Sequence, residues 1–222
     1  MKVSVIIPTK NEAGCIGRVL TEMPREVVAE VIVIDGHSTD TTFVEAGRNS
    51  DKKDKLVIQN GRGYGAAFLE GFKIAKGDCI VMMDGDGSHN PKDIKRIVAK
   101  IRQGYDYVMA SRYMKGGRSE DDTIIRWFGN FFFTRLTNWV HGTSLTDSLY
   151  LYTAITKKGL GKLNLKSKGF EFCTEIVVKA HKAKLKFAEV PAVERLRFAG
   201  RSKVNSFYHG LRILRMILCR YD

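Results

Sequence analysis

Near the N-terminus the apolar positions fall into short unbroken runs separated by stretches with helical spacing. Val3 to Ile7 is a β-branched run closed by Pro8, and Glu30 to Ile34 repeats it; such runs read as strands buried on both faces. Leu56 to Ile58 is a weaker third strand. Cys79 to Met83 is a fourth that breaks at Gly85 and Gly87, and Tyr105 to Ala110 is a fifth. Between them Ile16, Val19, Leu20 and Met23 mark a helix from about Ala13, and Phe68, Phe72 and Ala75 mark another. Ile94, Ile97, Val98 and Ile101 form a helical stripe behind Asn90 and Pro91, which suit a helix start. Strand and helix alternating at these intervals predict a mostly parallel sheet covered on both faces.

The pattern changes beyond residue 113. Lys115 to Arg118 reads as a mobile loop, and Ile124 to Val140 as a helical segment with a broad apolar face. Its Phe128, Phe131, Phe132, Phe133, Leu136 and Trp139 read first as core, with partial contact to lipid as the alternative. Phe170 to Ala180 reads as a helix, Phe187 to Val190 as a strand before Pro191, and Ser206 to Leu218 as an amphipathic helix flanked by Arg212, Arg215 and Arg220.

At 222 residues the chain is expected to form one α/β domain over 1–222. No apolar run reaches 18 residues, so neither a membrane span nor a signal peptide is expected, and a cytoplasmic location follows. Cys15, Cys79, Cys173 and Cys219 are scattered without metal-type spacing and read as free thiols. The net charge of +13 points to an anionic partner. No zinc spacing or nucleic-acid motif accompanies it, so nucleic acid is not the expected partner.

The strongest chemical signal is Asp84-Gly85-Asp86 at the carboxyl end of the fourth strand, the edge where open α/β sheets bind ligands. Two carboxylates on a glycine-loosened turn can supply hard oxygen ligands to Mg²⁺ or Mn²⁺ and leave positions for substrate phosphates. The Gly61 to Gly65 loop lacks the spacing and position of a dinucleotide fingerprint; it reads either as a flexible loop or as one lying close to a sugar or phosphate.

Three motifs, Ile6-Ile7-Pro8-Thr9-Lys10-Asn11-Glu12, Ile34-Asp35-Gly36-His37-Ser38-Thr39-Asp40 and Met83-Asp84-Gly85-Asp86-Gly87-Ser88-His89-Asn90-Pro91, resemble family 2 glycosyltransferases of the GT-A fold. Within that family the chain is most similar to the dolichol-phosphate mannosyltransferase branch and other polyprenyl-phosphate glycosyltransferases. Arg112, Arg126 with Asn130, Asp147, Phe170-Glu171 with Glu175, Glu189-Val190-Pro191, Arg197 and Gly200, Ser202, Lys203 carry that closer likeness. Two departures stand: Asp35 is followed by Gly36 where two adjacent acids are usual, and Tyr150 to Thr153 replaces a motif that usually bears an arginine.

The resemblance implies a GT-A α/β domain, with an antiparallel strand near the acceptor side, that moves a mannose or glucose with inversion from a nucleotide diphosphate sugar to a polyprenyl phosphate. By that likeness residues 1–112 bind the nucleotide sugar, 113–205 face the acceptor, and 206–222 form the amphipathic helix. Pro8, Thr9, Asn11, Glu12, Asp35, Asp84 and Gly85 are the expected nucleotide-sugar residues. Asp84, Asp86 and Ser88 are expected to hold Mg²⁺ or Mn²⁺. Asp84, Asp86 and Arg112 are the expected catalytic residues, and Arg112, Arg126, Arg197 and Lys203 the expected acceptor-phosphate cations. A phosphate acceptor is already an anion and needs cations to position it rather than a strong base. A hydroxyl acceptor is the alternative; it requires a general base, for which Asp147 and His89 are the candidates. GDP-mannose and UDP-glucose both remain open as donors. Peripheral attachment to the cytoplasmic face of a membrane is expected through the aromatic stretch and the basic helix, the alternative being contact with the lipid through a membrane-protein partner.

Overall fold

The computed structural model describes residues 1–199 and 206–218. In chain order these form β1 (Val3–Thr9), α1 (Ile16–Thr21), β2 (Glu30–Asp35), α2 (Thr42–Asn49), β3 (Lys55–Ile58), α3 (Tyr64–Ile74) and β4 (Cys79–Met82). A 3₁₀ turn at Pro91–Asp93 leads into α4 (Ile94–Arg102), followed by β5 (Tyr107–Ser111), β6 (Arg118–Ser119), α5 (Ile124–His141) and β7 (Thr153–Thr156). Then come α6 (Lys157–Leu160), α7 (Phe172–Lys182), β8 (Phe187–Pro191), β9 (Val193–Glu194) and α8 (Ser206–Leu218).

Seven strands make one sheet in the order β3-β2-β1-β4-β7-β5-β8, in which only β7 runs antiparallel to its neighbours. β6 and β9 form a separate parallel pair. The two-residue alternation of the buried strands divides the core. Val3, Val5, Ile7, Val31, Val33 and Val81 face α1 and α4, while Ile6, Ile32, Ile34, Ile80 and Met82 face α3 and α7. The antiparallel strand expected near the acceptor side is β7, whose four residues give too short a run to place by pattern.

Chain order reverses at β1, with β2 on one side and β4 on the other, and a sheet opens a crevice at such a point. The register shows how. β1 pairs with β4 only from Val3 to Ile6, yet continues beside β2 as far as Thr9. Pro8, with no N–H to donate, lies beyond the last β4 pair, so the two strands part there without a lost ladder bond.

The core reading of the Ile124 to Val140 segment is overturned for Phe128, Phe131, Phe132 and Trp139, while Phe133 and Leu136 are half-buried. Among α5 side chains only Thr134 and Thr137 are buried, whereas Ile124, Ile125, Trp127, Phe128, Phe131, Phe132 and Trp139 are exposed, Trp139 by 80%. Polar contacts dock the helix by its opposite side: Thr134 meets Ser148 at 3.2 Å, and the Asn138 side-chain amide donates to the Leu145 carbonyl at 2.9 Å. The aromatic stripe therefore points away from the sheet. α8 packs against α5 and α7 through buried Ile217, a 2.9 Å contact between the Ile217 carbonyl and His141 Nε2, and a 2.6 Å ion pair between Arg212 and Glu171. Leu211 and Leu218 remain exposed. Cys15, Cys79 and Cys173 are buried, and burial first pushes the Cys79 thiol up to about 12.

α3 comes close to the sheet at Gly71, where a Cβ would stand 2.6 Å from Ile6 Cγ2, a fully buried strand residue. Gly71→Ala should therefore cost about 1–3 kcal/mol by overpacking, read as a lower urea midpoint with unchanged slope. An unchanged midpoint would contradict this packing.

Candidate active site

Where β1 and β4 part, a cavity of about 510 Å³ opens. Its walls include Pro8, Thr9, Lys10 and Glu12 at the end of β1 and beyond, Ile34, Gly36 and His37 at the end of β2 and beyond, Gln59, Arg62 and Gly63 before α3 and Tyr64 at its start, and Asp84, Gly85 and Asp86 after β4. Phe170 and Arg197 complete it.

The β1 and β2 turns are bound to each other. Asn11 and His37 adopt left-handed backbone, at φ of 51° and 60°. Asn11 N–H donates to Ser38 Oγ at 2.9 Å, and Thr39 N–H returns to Asn11 Oδ1 at 2.8 Å. Asp35, 3% exposed, accepts from Ser38 N–H at 2.8 Å, Ser38 Oγ at 2.6 Å and Thr9 Oγ1 at 3.3 Å. Asp35 and Asn11 thus fix the rim and do not themselves line the cavity, whereas Pro8, Thr9 and Glu12 do.

Asp84 and Asp86 carry the site's charge. Asp84 keeps a side-chain exposure of 32% toward the opening, and its Oδ1 accepts a 2.6 Å hydrogen bond from the Tyr64 hydroxyl. Burial first, and the Asp86 charge second, push Asp84 up to about 7. Asp86, on the same glycine-loosened turn, is only 4% exposed. It is covered by the segment after β9: Arg195 N–H donates to the Ser88 carbonyl at 2.9 Å and Phe198 N–H to that of Asp86 at 3.1 Å. The Phe198 ring rests on Gly87, where φ is +86° and a Cβ would stand 2.3 Å from Phe198 Cδ2. This cover brings Arg197 Nη1 to 2.6 Å from Asp86 Oδ2, while Ser88 donates to Oδ1 through N–H at 3.0 Å and Oγ at 2.7 Å. Ser88 orients Asp86 from outside the cavity wall.

The other cations sit deeper or farther out. Arg112, 8% exposed, donates to Asp147 Oδ2 at 2.7 Å and Oδ1 at 3.0 Å and to Glu194 at 3.2 Å, and lies over the Tyr150 ring at 4.5 Å. Its guanidinium is committed to this cluster and does not line the cavity. Arg126 pairs with Asp121 at 2.9 Å, and Asp121 lies 3.8 Å from Arg197, so a ladder Asp86–Arg197–Asp121–Arg126 runs from the cavity to the start of α5. Lys203 lies outside the described residues. The two candidate bases are both shut away. Asp147 is fully buried against Arg112, and His89 is stacked on Tyr152 at 4.7 Å with its Nδ1 accepting from Asp84 N–H at 3.1 Å. Burial pushes His89 down to about 4, so it is neutral near pH 7.

The donor set fits a hard divalent cation. It is oxygen only, it holds two carboxylates two positions apart, and it is open on the Asp84 side. No third acid, His or Cys joins them in a ready cluster among the described residues, so nucleotide phosphates and water would complete the shell. Sequence reasoning missed Tyr64, Gln59, Arg62 and Phe170 as wall residues. Only the glycines around Tyr64 signalled a loop near a ligand.

A family model, glycosyl transferase family 2, matches residues 4–155, and the chain belongs to this family. Glycosyltransferase AglJ of Haloferax volcanii is 33% identical over 85% of this chain and 61% of that protein. Dolichol-phosphate mannosyltransferase of Pyrococcus furiosus is 30% identical over 92% of this chain and 59% of that protein, so the chain spans about three fifths of the length of these two relatives. Undecaprenyl-phosphate mannosyltransferase of Micrococcus luteus is 29% identical over 92% of this chain and 88% of that protein. A structure of glucosyl-3-phosphoglycerate synthase from Mycobacterium tuberculosis with Mn²⁺, UDP and phosphoglyceric acid superposes with a TM-score of 0.79 at 18% identity, covering 98% of this chain and 77% of that one. The shared architecture is the GT-A fold.

Removing one partner from a buried charge cluster leaves the rest uncompensated. Arg112→Ala should therefore cost about 3–5 kcal/mol in urea unfolding by stranding Asp147, with Arg112→Lys recovering part of the loss. A variant as stable as the parent would show that the cluster does not hold this side of the fold together.

Proposed function

We propose that the protein is a glycosyltransferase that moves a hexose from a nucleotide diphosphate sugar to a polyprenyl phosphate, with inversion at the anomeric carbon. The observation that carries this reading is the ladder from Asp86 through Arg197 and Asp121 to Arg126, which joins an acid-lined cavity to the foot of an exposed aromatic helix. The names of the Pyrococcus and Micrococcus relatives support the polyprenyl-phosphate acceptor, and the Mn²⁺ and UDP of the mycobacterial structure support a metal-assisted nucleotide donor.

In this reading residues 1–112 hold the donor and the chain beyond them faces the acceptor within one catalytic domain. Pro8, Thr9 and Glu12 take the nucleoside side of the cavity, on a rim held by Asn11 and Asp35, and Asp84 with Asp86, oriented by Ser88, takes the diphosphate side through Mg²⁺ or Mn²⁺. When bound, that ion neutralises the negative charge that develops on the departing nucleoside diphosphate. An acceptor phosphate oxygen attacks the anomeric carbon as the carbon–oxygen bond to the diphosphate breaks. Arg197 and Arg126, joined by Lys203, bring the acceptor anion beside an anionic donor and lower their repulsion. Arg112 acts by fixing the wall next to them. A phosphate nucleophile requires no protein base, which agrees with the burial of both His89 and Asp147. A hydroxyl acceptor is less favoured for the same reason.

No helix among the described residues is long and apolar enough to cross a membrane. The α5 stripe and the exposed Leu211 and Leu218 of α8, flanked by Arg215, instead fit a surface lying at the membrane interface. Each basic residue near anionic head groups adds on the order of 1 kcal/mol.

Incubation with GDP-mannose or UDP-glucose, polyprenyl phosphate and Mn²⁺ should give a chloroform-soluble glycolipid from one donor. Asp86→Asn should lower the rate roughly 100-fold or more. Product formed only on hydroxyl acceptors, or full activity in EDTA, would overturn the reading. Vesicles rich in anionic lipid should carry the protein upward in flotation, less so at high salt, and replacement of Trp127, Phe128 and Trp139 by Ser should abolish it. Flotation unaffected by that triple change would remove α5 from the membrane contact.

A further inference from the structure

The Gly61 to Gly65 loop owes its glycines to a close approach of the chain. Gly63 has φ +112°, and a Cβ there would lie 2.2 Å from the Lys168 carbonyl oxygen; a Cβ at Gly65 would lie 2.5 Å from that of Ser167. The glycines on either side of Tyr64 thus let the 166–170 segment settle onto the start of α3, where Ala66 N–H donates to the Lys168 carbonyl at 3.1 Å. Buried Glu175 pins the same segment from behind, accepting from Lys166 N–H at 3.0 Å and Ser167 N–H at 2.8 Å. Phe170 then lies flat on Tyr64, with ring centroids 4.7 Å apart and planes at 16°, and Phe68 closes the edge at 5.1 Å and 84°.

Held in this way, the Tyr64 hydroxyl reaches Asp84 Oδ1 at 2.6 Å. Oδ2 lies 3.8 Å from His89 Nε2, too far for a hydrogen bond, and is left to the cavity. An acid on a turn beside a glycine has several rotamers open to it. One fixed oxygen selects a single rotamer and lowers the ordering cost at binding.

We propose that Tyr64, clamped by Phe170, is the positioning residue that aims Asp84 at the metal–diphosphate part of the donor. The inference rests on the nucleotide-sugar reading above. Its test is calorimetric titration of the full chain with Mn²⁺ plus GDP and with Mn²⁺ plus UDP, for the parent, Tyr64→Phe, Phe170→Ala and the double variant. Tyr64→Phe keeps the ring and its stacking, so its melting temperature should stay within a few degrees, while nucleotide affinity falls roughly tenfold, the value of a hydrogen bond to a charged group. Phe170→Ala should weaken binding in the same direction, and the double variant should lose no more than the weaker single one, because the clamp acts only through the hydroxyl. If the parent binds and Tyr64→Phe binds equally well, or if the two losses add, the positioning role is overturned and the nucleotide reading stands. If the parent binds neither nucleotide, both fall.

Discussion

The mutual repulsion of Asp84 and Asp86 is the constraint around which the site is assembled. They stand two positions apart at the end of a fully buried strand, where water screens them poorly, so their charges must be answered by fixed groups. Asp84 receives the Tyr64 hydroxyl; Asp86 receives Ser88 and the Arg197 guanidinium. The segment after β9 lies across the turn because Arg197 must reach Asp86, and Gly87 must lack a side chain because Phe198 then rests on it. Parting of β1 from β4 supplies the space, and the charge requirement decides what lines it.

The same electrostatics reach toward the surface. Arg197 is shared between Asp86 and Asp121, and Asp121 also holds Arg126 at the first turn of α5. A second cluster, Arg112 with Asp147 and Glu194, connects to α5 through Tyr113, which hydrogen-bonds Asp122 and receives the Asn130 amide at 2.8 Å. Both clusters therefore end on the helix that exposes its aromatic residues, so the position of that helix and the geometry of the cavity are linked by ion pairs rather than by a hydrophobic core.

Much of the fold could be read from the chain because parallel strands buried on both faces leave continuous β-branched runs. β1, β2 and β4 stand out for that reason. β7 did not, since its four residues follow an irregular stretch and only its antiparallel pairing defines it. The acids after β4 and the rim residues Pro8, Thr9 and Glu12 were legible because the turn motifs are contiguous. Tyr64 and Phe170 were not, because they meet across 106 positions of sequence, where the turn before α7 touches the first residue of α3. The α5 stripe misled for a physical reason: aromatic residues at helical spacing look alike whether they face a core or the outside, and here Thr134 and Thr137 turn inward. Arg112, expected to meet the acceptor phosphate, is buried against Asp147 instead, since a charge count does not reveal Asp147 opposite it.

The most direct test of this account is a crystal structure of the protein with Mn²⁺ and a nucleoside diphosphate, with the metal located by its anomalous scattering. The account predicts the ion bonded to a carboxylate oxygen of Asp86, the diphosphate in the cavity beside Asp84, and the nucleoside against Pro8, Thr9 and Glu12. A metal peak away from both acids, or a nucleotide bound outside the crevice between β1 and β4, would contradict it.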